Sequence, residues 1–317
     1  MNNLDDAKPN IQSDTKPNTK LDTGHYERLV TGAAKAAMVA AGLMIVTKLL
    51  AWFYTDSASM LASLTDSLLD ISASFINLMA IRYALVPADK EHSFGHGKAE
   101  SLAGLAQSAF ISASAIFLMI TGISRLLNTQ TVSHAGLGIG VILFSILVTL
   151  VLVIYQGYVI RKTQSLAIRA DQLHYRSDIL LNLGVLLAIG LAWQGFHWAD
   201  GLFALLIGGY ILKGALKIGY DAVQMLLDHQ LPDAEQRRII AACLSVAGVH
   251  GLHDLRTRQS GATRFIQLHL ELDDHLPLVQ AHQIALHAER ELERLFPDTD
   301  IILHMDPLSV LPPASGV

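Results

Sequence analysis

The sequence predicts an α-helical membrane protein: a bundle of six transmembrane helices followed by a small cytoplasmic α+β domain of order αββαβ. Three observations predict it. Of 317 residues, 51% are hydrophobic and only 16% charged, and the mean hydropathy of +0.39 is too high for a soluble domain of this size. Six stretches approach the roughly 20 residues that a helix needs to cross a bilayer core of about 30 Å. After residue 229 the composition turns into that of a small soluble domain.

Residues 1–25 are rich in Asn, Asp, Lys, Thr and Pro, bury too little apolar surface to fold, and are expected to be a disordered cytoplasmic tail. No short apolar core with a small-residue cleavage site follows the first methionine, so no secretory signal is expected. The transmembrane domain is expected over residues 26–228, with spans near 30–54, 58–86, 100–127, 135–160, 172–195 and 201–226. The second and fifth spans carry ionisable residues well inside an apolar run, a defect that points to function. Short loops rich in Lys and Arg favour the cytoplasm. Arg82, Lys90 and Lys98 follow the second span and Arg161, Lys162 and Arg169 the fourth, whereas the opposite loops hold only Arg125. Both termini are therefore expected in the cytoplasm.

The soluble domain, residues 229–310, opens on Leu231-Pro232-Asp233, a helix start signal. A helix is expected over 233–247, strands over 250–259 and 263–273, a helix over 277–296 and a strand over 300–306. In the second strand Ile266, Leu268, Leu270 and Leu272 alternate with Gln267, His269 and Glu271, the pattern of a sheet with one buried face. About 80 residues make a marginal core, so help from a partner chain or bound metal is expected. Residues 311–317 form a short tail.

The single cysteine, Cys243, excludes an intrachain disulfide or a cysteine-pair zinc site and reads as a buried thiol. No long basic run marks nucleic acid as a partner. The fourteen histidines, clustered near Asp and Glu, supply the ligand chemistry of borderline divalent metals.

Asp66 and Asp70 in the second span share a helical face at i,i+4, and His174 and Asp178 repeat the spacing in the fifth. Three carboxylates at mid-bilayer would cost roughly 8 to 10 kcal/mol unpaired, a cost tolerated for a function or a counter-charge. If the two faces meet, one nitrogen and three oxygens suit tetrahedral coordination of a divalent ion. Arg176 lies about 200° around the helix from His174, and Asn77 and Asn182 read as hydrogen-bonding glue between helices. Asp89, His92 and His96 fall within eight residues of the loop after the second span, where Gly95 and Gly97 permit a tight fold. A third cluster, His253, His269, His282, His304 and Asp306, is spread over four elements of the soluble domain. His197, His229, His250, His275 and His287 read as surface residues.

With its two paired motifs and HSFGHGKAE between them, the chain resembles the cation diffusion facilitator family over about residues 26–310. The resemblance implies a metallochaperone-like soluble domain and a homodimer in a bacterial inner membrane. It implies export of divalent transition metals, Zn2+ foremost and also Cd2+ or Fe2+, from the cytoplasm by alternating access in exchange for protons. It assigns Asp66, Asp70, His174 and Asp178 to the transport site, Asp89, His92 and His96 to a loop site, and His253, His269, His282, His304 and Asp306 to a binuclear site bridged by Asp306. It also assigns Lys98 and Asp228 to a charge interlock at the membrane surface. An intramembrane metallohydrolase is disfavoured by the absence of H-E-x-x-H. A metal sensor that binds without transporting is the alternative.

Overall fold

The computed structural model describes residues 20–55, 58–127, 136–192, 194–196 and 198–310. Most of the expected N-terminal tail, all of the C-terminal one and His197 lie outside these residues. Six helices are long and apolar enough to cross a membrane: α1 (Lys20–Thr55), α2 (Ala58–Ala84), α3 (Lys98–Leu127), α4 (Gly136–Thr163), α5 (Leu166–Ala192) and α6 (Ala199–Leu226). Phe53, Phe117, Ile120 and Ile154 stand exposed on their outer faces, which for a membrane protein is the surface that lipid covers.

Helix α5 begins at Leu166, ahead of the expected residue 172. Polar Arg169, Asp171 and Gln172 hid this first turn from hydropathy, while Ser165 caps it by accepting the Ile168 N–H through Oγ at 3.3 Å. His174 thus lies about two turns inside the helix rather than at its mouth.

The closest helix pair is α3 with α6. Buried residues on α6 recur at 201, 204, 208, 211, 215, 218 and 222, and on α3 at 101, 104, 108, 111, 115 and 122. Most are Gly, Ala or Ser, which lets the backbones approach where lipid offers no hydrophobic drive. A Cβ on Gly122 would stand 2.9 Å from the Gly201 carbonyl oxygen. Further contacts join α1 to α2 and α4, α5 to α3, α4 and α6, and α2 to α3.

The soluble domain contains α7 (Asp233–Leu244), β1 (Gly251–Ser260), β2 (Thr263–Leu272), α8 (Leu278–Leu295) and β3 (Thr299–Pro307). The sheet order is β1-β2-β3, antiparallel then parallel. Ile266, Leu268, Leu270 and Leu272 are buried against Ile239, Ala288, Leu292 and Phe296 of the helical layer, so the alternating residues turn to the opposite face. Cys243 is fully buried in this core, and burial pushes its thiol up to about 11.

Candidate metal centres

The i,i+4 pairs on α2 and α5 do face one another. His174 Nε2 lies 3.0 Å from Asp70 Oδ1 and 4.0 Å from Asp178 Oδ2, and one ligand atom from each of the three falls within 4.8 Å of the others. Ligand atoms around a tetrahedral zinc ion stand about 3.3 Å apart, given metal–ligand lengths near 2.0–2.2 Å, so these separations need only small adjustment. Asp66 is outside that tight group, but lines the same cavity of about 410 Å³. Arg176 is exposed and takes no part in that cavity, consistent with its position around the helix.

Several neighbours escaped the sequence reading. Lys48 of α1 lines the cavity and donates to Ser67 Oγ at 2.7 Å and to the Ser63 carbonyl at 3.1 Å. The signal that exposed Asp66, an ionisable residue inside an apolar span, applied equally to Lys48. Fully buried Tyr175 donates to the Ala37 carbonyl at 3.3 Å and hydrogen-bonds Ser74 Oγ at 2.9 Å, fixing α1, α2 and α5 beside the cluster. Asp171, buried one turn before His174, accepts from Gln156 Nε2 at 2.7 Å and Gln107 Nε2 at 3.4 Å, tying α3, α4 and α5 together. Asn77 does not act as the expected interhelical glue: its buried amide has no hydrogen-bond partner among the described residues. Asn182 lines the cavity instead.

In the α2–α3 loop, Asp89 Oδ1 accepts the His92 and Glu91 N–H groups at 2.6 and 2.9 Å. The His92 N–H foremost holds the Asp89 carboxyl below the usual carboxylate range. His92 Nδ1 stands 3.4 Å and His96 Nε2 3.5 Å from this carboxylate. His96 Nδ1 faces the Val86 carbonyl at 3.2 Å, an arrangement that frees Nε2 to act as a ligand. Gly95 takes φ +76°, and a Cβ on Gly97 would strike the Ser260 backbone; here the loop docks on the β1–β2 turn. Beside it Lys98 Nζ meets Asp228 Oδ1 at 3.0 Å. Arg258, missed by sequence reading, adds a 3.4 Å contact to Asp228 and covers the rings of Phe94 and Phe265.

Strand register assembles the third cluster, for His253 pairs with His269, His269 with His304, and Glu271 with Asp306. Asp306 Oδ2 lies 2.7 Å from His269 Nδ1 and 3.2 Å from His253 Nε2, while Oδ1 lies 3.1 Å from His304 Nε2. One carboxylate therefore faces histidines with both oxygens. Hydrogen bonding from His269 is the chief cause that holds the Asp306 carboxyl below its ordinary range. Glu271 Oε1 accepts from His253 Nδ1 at 3.0 Å, orienting Nε2 inward, and Gly251 leaves room for that carboxylate, which a Cβ would strike. His282 is exposed on α8 and outside the group that the described residues form.

Comparison with known families decides the class. The cation efflux transmembrane domain matches residues 34–227, and the cation efflux protein cytoplasmic domain matches residues 231–308. The chain belongs to the cation efflux family. This cation efflux protein is 58% identical to the cation-efflux pump FieF of Citrobacter koseri over 280 residues, which cover 88% of this chain and 93% of that one. It is 56% identical to the FieF pump of Klebsiella pneumoniae over 282 residues, 89% and 94% of the two chains. A solved structure of CzrB, described as a proposed zinc transporter in its zinc form, matches 27% of this chain and 99% of its own, at 29% identity and a TM-score of 0.25. The protein is thus a multi-pass membrane protein of a cation efflux family, with His and Asp clusters whose donors suit divalent metals.

Proposed function

We propose that the protein exports divalent transition-metal ions, Zn2+ foremost and also Cd2+ or Fe2+, from the cytoplasm in exchange for protons, by alternating access around Asp66, Asp70, His174 and Asp178. The observation that carries this reading is His174 Nε2 at 3.0 Å from Asp70 and 4.0 Å from Asp178 between two membrane helices. Carboxylate and imidazole ligands without thiolate hold zinc-like ions and release them readily. A metal ion displaces protons from such ligands, so loading at one face and reprotonation at the other couple the two fluxes. The protein would sit in the bacterial inner membrane with both termini in the cytoplasm, the orientation that the basic loops favour.

Asp89, His92 and His96 would hold a second ion where the loop meets the soluble domain, beside the Lys98–Asp228 interlock. His253, His269, His304 and Asp306 would hold regulatory or structural ions. Oδ2 of Asp306 with His253 and His269 would take one ion, and Oδ1 with His304 supplies part of a second site, to which His282 would be recruited. Metal bound there stabilises a homodimer by mass action, in keeping with the designation of the matched cytoplasmic module as dimerising.

Proteoliposomes under an imposed pH gradient test the coupling. Wild-type protein moves zinc faster when protons can flow the other way, and His174→Ala loses both the flux and its proton dependence. Unaltered flux with unaltered proton dependence in His174→Ala would sink this mechanism. Metal binding without flux in the wild type would establish the sensor alternative.

A further inference from the structure

Arg176, set aside by the metal cluster, opens onto a different feature. A crevice of about 460 Å³ between α5 and α6 is lined by Arg169, Arg176, Lys213 and Lys217 and by no acidic residue, with Tyr210 and the buried Gln172 beside them. Arg169 is matched by Asp221 at 3.2 Å. Arg176, Lys213 and Lys217 have no carboxylate partner among the described residues.

Depth makes these three cations costly. At about 1.5 Å per residue, α5 and α6 are each roughly 40 Å long, overhanging a hydrocarbon core of about 30 Å by roughly 5 Å at each end. Arg176 comes ten residues after Leu166, Lys217 nine before Leu226 and Lys213 thirteen before it. Measured from the end that carries the soluble domain, their backbones lie roughly 10, 9 and 15 Å inside the hydrocarbon. Long side chains can snorkel back toward that surface, and three that converge on one crevice create a concentrated positive field there. Gly214 keeps the crevice open, since a Cβ there would close on Leu173 at 3.1 Å.

We propose that this crevice binds the headgroup of an anionic phospholipid, with Arg176, Lys213 and Lys217 as its phosphate ligands. Basic pockets between membrane helices at the cytoplasmic surface recognise such headgroups, and Arg offers the planar fork that a phosphate takes in two hydrogen bonds. Arg176, Lys213 and Lys217 are exposed on α5 and α6, on the surface that lipid covers, so a headgroup drawn in from the bilayer interface is the neighbouring anion. A two-fold dimer built across this face would set these cations against their own copies, which argues against a second chain as the occupant. The inference is independent of the metal site, and its test reads lipid and not transport.

The test titrates delipidated full-length protein in nonionic detergent with phosphatidylglycerol, cardiolipin and phosphatidylcholine of matched acyl chains, followed by native mass spectrometry. Free glycerol phosphate is the soluble arm. The wild type should bind the two anionic lipids at least tenfold more tightly than phosphatidylcholine. Arg176→Gln should lose about fivefold and the triple variant R176Q/K213Q/K217Q about 100-fold, at roughly fivefold per cation, while Lys35→Gln on α1 changes nothing. Equal affinity for anionic and zwitterionic lipid, or a triple variant that keeps the preference, overturns the proposal. So does displacement of the lipid by equimolar glycerol phosphate, which would mark a site for soluble anions. Arg176→Gln, a polar exchange on an exposed face, carries the test alone if the triple variant fails to fold.

Discussion

The membrane cluster and the soluble-domain cluster use the same two side chains in opposite surroundings. Asp70, His174 and Asp178 sit between α2 and α5 inside the span, where the His174 side chain is 17% exposed; around Asp306, His304 is 64% exposed. In the bilayer a carboxylate is a cost to the fold, so the membrane cluster exists at the expense of stability. On the polar face of the sheet the same groups remain near water and cost little, and a metal held there would add stability to a marginal core. On the proposed function, identical ligands serve passage in one place and assembly in the other, and their surroundings make the difference.

Exchanging the effects would break this comparison. With metal at about 100 times its dissociation constant, the soluble-domain site should contribute about 2.7 kcal/mol. Asp306→Ala should therefore abolish most of the zinc-dependent rise in the thermal unfolding temperature, whereas Asp70→Asn should retain most of it and unfold no lower than wild type without metal. A collapse in the metal-free stability of Asp70→Asn would mean that the membrane carboxylates support the fold.

A smaller effect sharpens the comparison. Glu271 bonds the outer nitrogen of His253 and not the inward Nε2, and loss of such a partner weakens metal binding by about 10- to 100-fold. Calorimetric titration of Glu271→Gln should show that loss in the soluble-domain sites. Undiminished zinc affinity would remove Glu271 from the account.

The smallest effect is in acid. The Asp306 carboxyl is held below its ordinary value, chiefly by His269, so its contribution is complete above about pH 4 and fades as pH falls through the lowered value. The unfolding-temperature gap between wild type and Asp306→Asn, measured in chelator, should stand at pH 5 and close toward pH 3. A gap that widened in acid would contradict the cause assigned to the shift.

Much of this was legible in the sequence because it rests on periodicity. Four-residue spacing set Asp66 with Asp70 and His174 with Asp178, and two-residue alternation turned His269 and Glu271 away from the core. What stayed hidden depends on partners distant in the chain. The row His253–His269–His304 follows from strand register, which no single strand reveals. Arg258 becomes part of the Lys98–Asp228 contact only once β1 comes up against the α2–α3 loop. The small residues that bring α3 and α6 together were readable as a heptad-like pattern, yet hydropathy alone passes over them. Lys48 was an ionisable residue within an apolar span and went unread because it does not repeat the i,i+4 pairing, whereas Asp171 went unread because it fell just before the expected start of the fifth span.

On the proposed function the membrane cluster carries the ion and the soluble cluster does not. Zinc flux into proteoliposomes, measured in parallel for wild type, Asp70→Ala and His269→Ala at saturating zinc, tests it most directly. Asp70→Ala should lose at least 100-fold in flux, the cost of a ligand that makes several kcal/mol of metal contact, while His269→Ala keeps flux within a few-fold of wild type. Normal flux in Asp70→Ala, or an equal collapse in His269→Ala, would contradict it.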